Sequence, residues 1–98
     1  MAQFDVYQLT TGEFVVDCQS DTVNGFDTRF VVPLFPLNQV AAPTRGLHPV
    51  FEIDGRSFVL ATQLAAAADQ SEFERCVHSL AEHRYAILNA LDFLITGV

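Results

Sequence analysis

The stretch HPVFEIDGRSFVLAT, residues 48–62, decides how this chain is read. Asp54-Gly55 separates two runs rich in β-branched and aromatic residues. A two-residue type I′ turn needs positive φ at both central positions, which Asp tolerates and Gly accepts freely. A two-residue hairpin sets Ile53 opposite Arg56, Glu52 opposite Ser57 and Phe51 opposite Phe58. The two phenylalanines then share one face, the pattern of an antiparallel sheet half-buried against a core.

Working outward, the preceding sequence also reads as strands. FDVYQL (residues 4–9) alternates Phe4 and Val6 with Asp5 and Tyr7, TTGE follows as a turn, and EFVVDCQ (13–19) is the returning strand of a second hairpin. Ser, Asp, Asn and Gly gather in SDTVNGFDT (20–28), a loop. RFVVPLFPL (29–37) is a third strand, nearly all apolar, in which Pro33 and Pro36 force a bend, a bulge or an edge position because proline cannot donate to a ladder. NQVAAPTRG (38–46) is an exposed connection broken by Pro43 and Gly46.

Beyond the hairpin, QLAAAADQ (63–70) suits a helix, a short strand or a loop equally. Ser71 with Glu74 three residues on reads as a capping box, and apolar residues recur at Phe73, Val77, Leu80, Ile87, Leu91 and Leu94. The helix signal is strongest from about Leu80 to Ile95, with SEFERC either its beginning or a short separate turn. The expected fold class is mainly β (α+β), an antiparallel sheet closed by one C-terminal helix, in a single domain over residues 1–98.

Half of the residues are apolar and the mean hydropathy is +0.25, high for a chain of this size. Small domains with surplus apolar residues often bury them between subunits, so a homodimer is expected. No run is long and apolar enough to span a membrane, and MAQFDVYQL lacks the basic and apolar regions of a secretory signal, so the expected location is cytoplasmic. Cys18 and Cys76 have no zinc or redox spacing and read as reduced, partly buried side chains.

Twelve acids face five bases, all arginine and all scattered, giving a net charge of −7. Such a surface repels nucleic acid at long range, so direct DNA or RNA binding is disfavoured. His48, His78 and His83 do not fall at a ligand spacing, and a metal site needs three or four convergent ligands. Cys76 beside a histidine has no local signature of a nucleophile, and Asp17 with Asp21, or Glu72 with Glu74, read as solvated loop and helix-terminus acids. The five glycines form no phosphate loop. No catalytic set, metal or cofactor is expected, and the residues point to a binding module.

Several stretches, taken in order, resemble the CcdB family of bacterial gyrase-poisoning toxins. They are FDVYQ near the start, VDCQSD (16–21) where the family has Val-Asp-x-Gln-Ser-Asp, TRFVVPL (28–34), LHPVFEIDGRSFVLATQ (47–63), and FLITGV (93–98), a helix ending in Gly and a β-branched residue. The resemblance implies a small barrel-like domain related to SH3 folds, with a sheet of about five strands, a smaller second sheet, a C-terminal helix and a homodimeric state. It implies a target, the A subunit of DNA gyrase, which the toxin dimer traps on cleaved DNA, with no catalytic chemistry of its own. It also implies an antitoxin that neutralises the toxin through a disordered C-terminal segment and supplies the DNA contact when the pair represses its operon.

Carried over position by position, the implied gyrase contacts are Thr96, Gly97 and Val98 at the chain end, with Ile95, Asp92, Ser20 and Thr22. Ser20 matches the family residue. Thr22 stands where the family often has Ile, Asp92 where it can have Asn, and Ile95 where it can have Phe. Thr96 stands where well-known members carry a Trp that stacks on a gyrase arginine, and this chain has no tryptophan. Losing such a contact at a desolvated site costs about 1–2 kcal/mol, roughly tenfold or more in affinity. The implied antitoxin contacts are Leu9, Thr10 and Thr11 in the first hairpin loop, and Arg45 in AAPTRG. Two other readings remain at this level: a MazF-like endoribonuclease of the same fold class, which the scattered arginines and the net charge disfavour, and a homologue that binds antitoxin without poisoning gyrase.

Overall fold

The computed structural model describes residues 2–97. Among the described residues seven strands and one α-helix follow one another. The strands are β1 (Asp5–Leu9), β2 (Phe14–Asp17), β3 (Thr28–Pro36), β4 (Val50–Ile53), β5 (Arg56–Leu60), β6 (Ala66–Asp69) and β7 (Phe73–Ser79), and the helix is α1 (Arg84–Thr96). All strand pairs are antiparallel, in the order β4-β5-β3-β2-β1-β7, with β6 added to β3.

The β4–β5 hairpin has the register its Asp-Gly turn dictates, with Ile53 opposite Arg56, Glu52 opposite Ser57 and Phe51 opposite Phe58. Asp54 at φ 52° and Gly55 at φ 78° supply the two left-handed residues the turn requires. Phe51 and Phe58 are both buried.

β3 is not an edge strand. Its start pairs with β6 and its end with β5, while β2 pairs with its middle, Val31 to Leu34, on the other side. Pro33 lies at the fork between β6 and β5. Cys18 N–H donates to Phe30 O at 2.8 Å, and antiparallel alternation from there turns the nitrogen of Pro33 away from β2. On its other side the Pro33 carbonyl still accepts from Ala61 N–H at 2.9 Å, so the ladder loses only the bond that proline cannot make. The expected pair of separate sheets is thus one sheet that forks at this proline.

Central strands buried on both faces divide their side chains between two apolar clusters. Phe4, Val6, Val16, Val32, Leu34, Leu60, Leu80, Ile87 and Ala90 belong to the main core, beneath the helix. Leu9, Val15 and Val31 form a smaller cluster on the opposite side, with Tyr7, Ala68 and Phe73 against it. Asp17 also lies there and is not a solvated acid: it is fully buried, and its carboxylate accepts from Arg29 Nε at 2.9 Å and Nη2 at 2.8 Å. A charge inside a low-dielectric interior requires such a partner.

Residues 71–79 overturn the helical reading. Asp69, not Ser71, caps a short 3-10 turn, Gln70–Glu72: its side chain accepts from Ser71 N–H, and Glu72 reaches back to Asp69 N–H. Phe73 to Ser79 then form β7 against β1. Two register shifts leave Glu74 and Val77 as extra residues in that ladder. A spacing of four fits a helix as well as a strand, and the bulge at Glu74 hides the alternation further by sending Phe73 to the smaller cluster and Val77 to the main core. The helix proper begins at Arg84, after a 3-10 turn at Ala81–His83. Glu74 accordingly lies on a strand and not at a helix terminus. The described residues contain no helix long and apolar enough to cross a membrane.

Candidate partner-binding surface

Helix α1 lies on the sheet by its first half. Ile87 and Ala90 are fully buried, and Leu88 and Leu91 pack against the same core. Its last turn projects past that contact: Leu94 is 42% and Ile95 79% exposed. Two local bonds close this end. The Thr96 hydroxyl donates to Asp92 O at 2.7 Å, and Gly97, at φ 77°, donates its N–H to Phe93 O at 2.9 Å. A left-handed glycine after the last helical residue is a common way to end a helix. Asp92, Ile95, Thr96 and Gly97 therefore share one exposed, hydrogen-bonded turn, while Val98 lies outside the described residues.

The loop before β4 is held beside this end. Gly46 sits at φ 85°, and a Cβ there would lie 3.1 Å from two ring carbons of Phe93. Only glycine both adopts that φ without strain and lets the backbone approach the ring so closely. Gly46, Asn89, Asp92 and Phe93 line one shallow cleft, so Arg45 is carried to the neighbourhood of Asp92. His48 steadies the loop from its far side: Nδ1 accepts from Thr44 N–H at 2.8 Å, and Nε2 is 2.7 Å from Gln63 Oε1. This histidine is structural, as is His83, whose ring lies 5.0 Å from Phe51.

Ser20 and Thr22 sit elsewhere. Their hydroxyls are 2.9 Å apart, and both are exposed in the β2–β3 loop. The buried Arg29–Asp17 pair anchors that loop through Gln19, whose N–H donates to Asp17 and whose Oε1 accepts from Phe30 N–H. Gln3 N–H donates to Asp21 at 2.8 Å, so the loop is tied beside Phe4. The ring of Phe4 lies under Arg84, at the first turn of α1. At 1.5 Å rise per residue, Thr96 is roughly 18 Å further along the axis. The expected gyrase contacts thus occupy two separate places on this one chain.

Of the expected antitoxin contacts, Thr10 and Thr11 are exposed in the first hairpin loop, but Leu9 is buried in the smaller cluster, and its side chain serves the fold. Sequence reasoning did not anticipate that Gly46 and Phe93 join the Arg45 loop to the helix end, because the contact spans 47 residues of chain and carries no local motif. Cys18 is buried and Cys76 exposed, and both are free thiols. Burial, helped by the Asp17 charge, pushes the Cys18 thiol up to about 12, and burial with the Asp5 charge also raises that of Cys76. Thiolates are therefore disfavoured at both positions, which suits neither for nucleophilic work. The described residues contain no cluster of three or more His, Cys, Asp or Glu able to hold a metal.

No curated protein matches the chain. The family model described as CcdB protein matches residues 3–97, the whole run of strands and helix laid out above. With the forked antiparallel sheet, the single C-terminal helix and a match spanning nearly its full length, the chain belongs to the CcdB family.

Proposed function

We propose that this chain, a toxin–antitoxin toxin by family, is a homodimeric poison of DNA gyrase and not an enzyme. It binds the A subunit of DNA gyrase and holds the enzyme on cleaved DNA. Asp92, Ile95, Thr96, Gly97 and Val98 make the principal contact, with Ser20 and Thr22 as a second one. The cognate antitoxin neutralises it through a disordered segment lying along Thr10, Thr11 and Arg45. DNA is reached only through that antitoxin, when the two proteins repress their operon together in the cytoplasm.

The observation that carries this reading is the last turn of α1. Ile95 is 79% exposed on a turn closed by its own hydrogen bonds, away from the core that the same helix builds. A large apolar side chain displayed on a rigid turn is suited to a partner rather than to folding.

The test is gyrase-mediated cleavage of supercoiled plasmid with ATP, read as linear DNA after the enzyme is denatured. The full chain yields linear plasmid, and a chain lacking Gly97 and Val98 does not, while its melting temperature and antitoxin binding stay unchanged. Loss of stability together with activity would show that the terminus is core. One observation favours a second reading, that of an antitoxin-binding homologue without poisoning: Thr96 turns its hydroxyl back onto the helix at Asp92 O, where the well-known members place an indole. Antitoxin binding with no cleavage of DNA by the host's own gyrase would establish it.

A further inference from the structure

The two ends of the curled sheet, the β4–β5 hairpin and β7, approach each other around a cavity of about 160 Å³. Its floor is apolar, formed by Val6, Phe14, Leu34 and Phe58, with Ile53 and Val77 on its walls. An apolar cavity of roughly 150 Å³ is large enough to hold a benzene molecule. Its rim carries two of the chain's five arginines, Arg56 and Arg75, and one acid, Asp54.

The two guanidinium groups are held in place with donors left over. Arg75 Nε donates to Gln8 Oε1 at 3.2 Å, leaving both terminal nitrogens for a ligand. Arg56 lies over the Phe58 ring, 5.2 Å from its centroid, which keeps it at the cavity mouth. Among the described residues neither forms an ion pair, in a chain of twelve acids and net charge −7. Two such arginines at one apolar opening make a local positive site on an otherwise negative molecule, complementary to a bidentate anion.

We propose that this cavity binds a small monocarboxylate bearing one benzene-sized apolar group. The carboxylate lies between Arg56 and Arg75, and the apolar group rests on the floor formed by Val6, Leu34 and the packed Phe14–Phe58 pair. Asp54 opposes the anion and limits its affinity. The site is separate from the helix end and from the gyrase reading, and none of the contact residues named above lines it.

Phenylacetate is the probe, titrated into the full-length protein and followed by calorimetry and amide NMR shifts. Saturable binding is expected, with shifts centred on Val6, Leu34 and Phe58. Acetate, which lacks the ring, and benzylamine, which reverses the charge, bind at least about tenfold more weakly. The R56Q/R75Q double variant loses at least about tenfold in affinity with an unchanged melting temperature, since both side chains are exposed. D54N, which keeps a good turn residue, binds more tightly. Absence of saturable shifts overturns the proposal, and so does equal binding of phenylacetate by the double variant or of benzylamine by the wild-type chain.

Discussion

The two halves of helix α1 have nearly the same apolar character and opposite fates. Its first half buries Ile87 and Ala90 against the sheet and leaves Tyr85 on its outer face, whereas its last turn leaves both Leu94 and Ile95 in solvent. Periodicity cannot separate them, because Leu94 continues the stripe of Ile87 and Leu91. What separates them is where the sheet stops. Apolar surface is worth about 25 cal/mol per Å² only where something covers it. The first half uses its surface for folding, and the second leaves Leu94 and Ile95 uncovered.

The comparison is most easily broken in the first half. Ile87→Ala removes a fully buried side chain and is expected to lower stability by about 2–5 kcal/mol, read as a lower midpoint in urea unfolding. Arg29→Ala leaves Asp17 buried without its partner and is expected to cost about 3–5 kcal/mol, while loosening the loop that holds Ser20 and Thr22. A value below about 1 kcal/mol for either variant would mean that the side chain is not buried as described.

Gly46→Ala probes the junction between the two regions. Its φ of 85° and the 3.1 Å approach to Phe93 predict a loss of about 1–3 kcal/mol, with NMR shifts reaching both Arg45 and Phe93. Loss of stability without shifts at Phe93 would separate the loop from the helix.

The buried thiol sharpens the comparison from the alkaline side. The folded state holds the Cys18 proton up to about 12, while the unfolded chain releases it at the ordinary thiol value. The folded state therefore binds more protons across that interval, so this stability is complete below the ordinary value and falls as pH rises toward 12. Cys18→Ala should flatten the alkaline loss measured by denaturant midpoints. A thiol reagent at neutral pH should label Cys76 well before Cys18, and simultaneous labelling would contradict the burial of Cys18.

The smallest effect on stability is expected at the displayed turn. Ile95→Ser should change stability by no more than about 0.5 kcal/mol and still abolish or strongly weaken gyrase-mediated cleavage. Equal cleavage by this variant would remove Ile95 from the contact.

How much could be read in advance differed from region to region. The hairpin at residues 48–62 was legible to the pair, because its turn chemistry and its alternation specify one register. The strand at residues 73–79 was not. Its bulges displaced the alternation, and Ser71 with Glu74 imitated a helix start while the true cap lay at Asp69 with Glu72. Asp17 and Arg29, twelve positions apart, looked like independent surface charges until β2 and β3 were paired. The candidate contact residues could be named by resemblance, but their division between the helix end and the β2–β3 loop could not.

By itself the sequence determined the local order: the Asp54-Gly55 turn, the strands with period-2 alternation, the helical stripe from Ile87, and the glycine that ends the helix. These depend on φ, ψ and near-neighbour contacts, which a short window contains. Only the tertiary structure decided which apolar residues are core and which are displayed, how β3 divides between β5 and β6 at Pro33, and that Gly46 meets Phe93. Burial and pairing are set by elements far apart in the chain, and no local window records which of them will cover a given face.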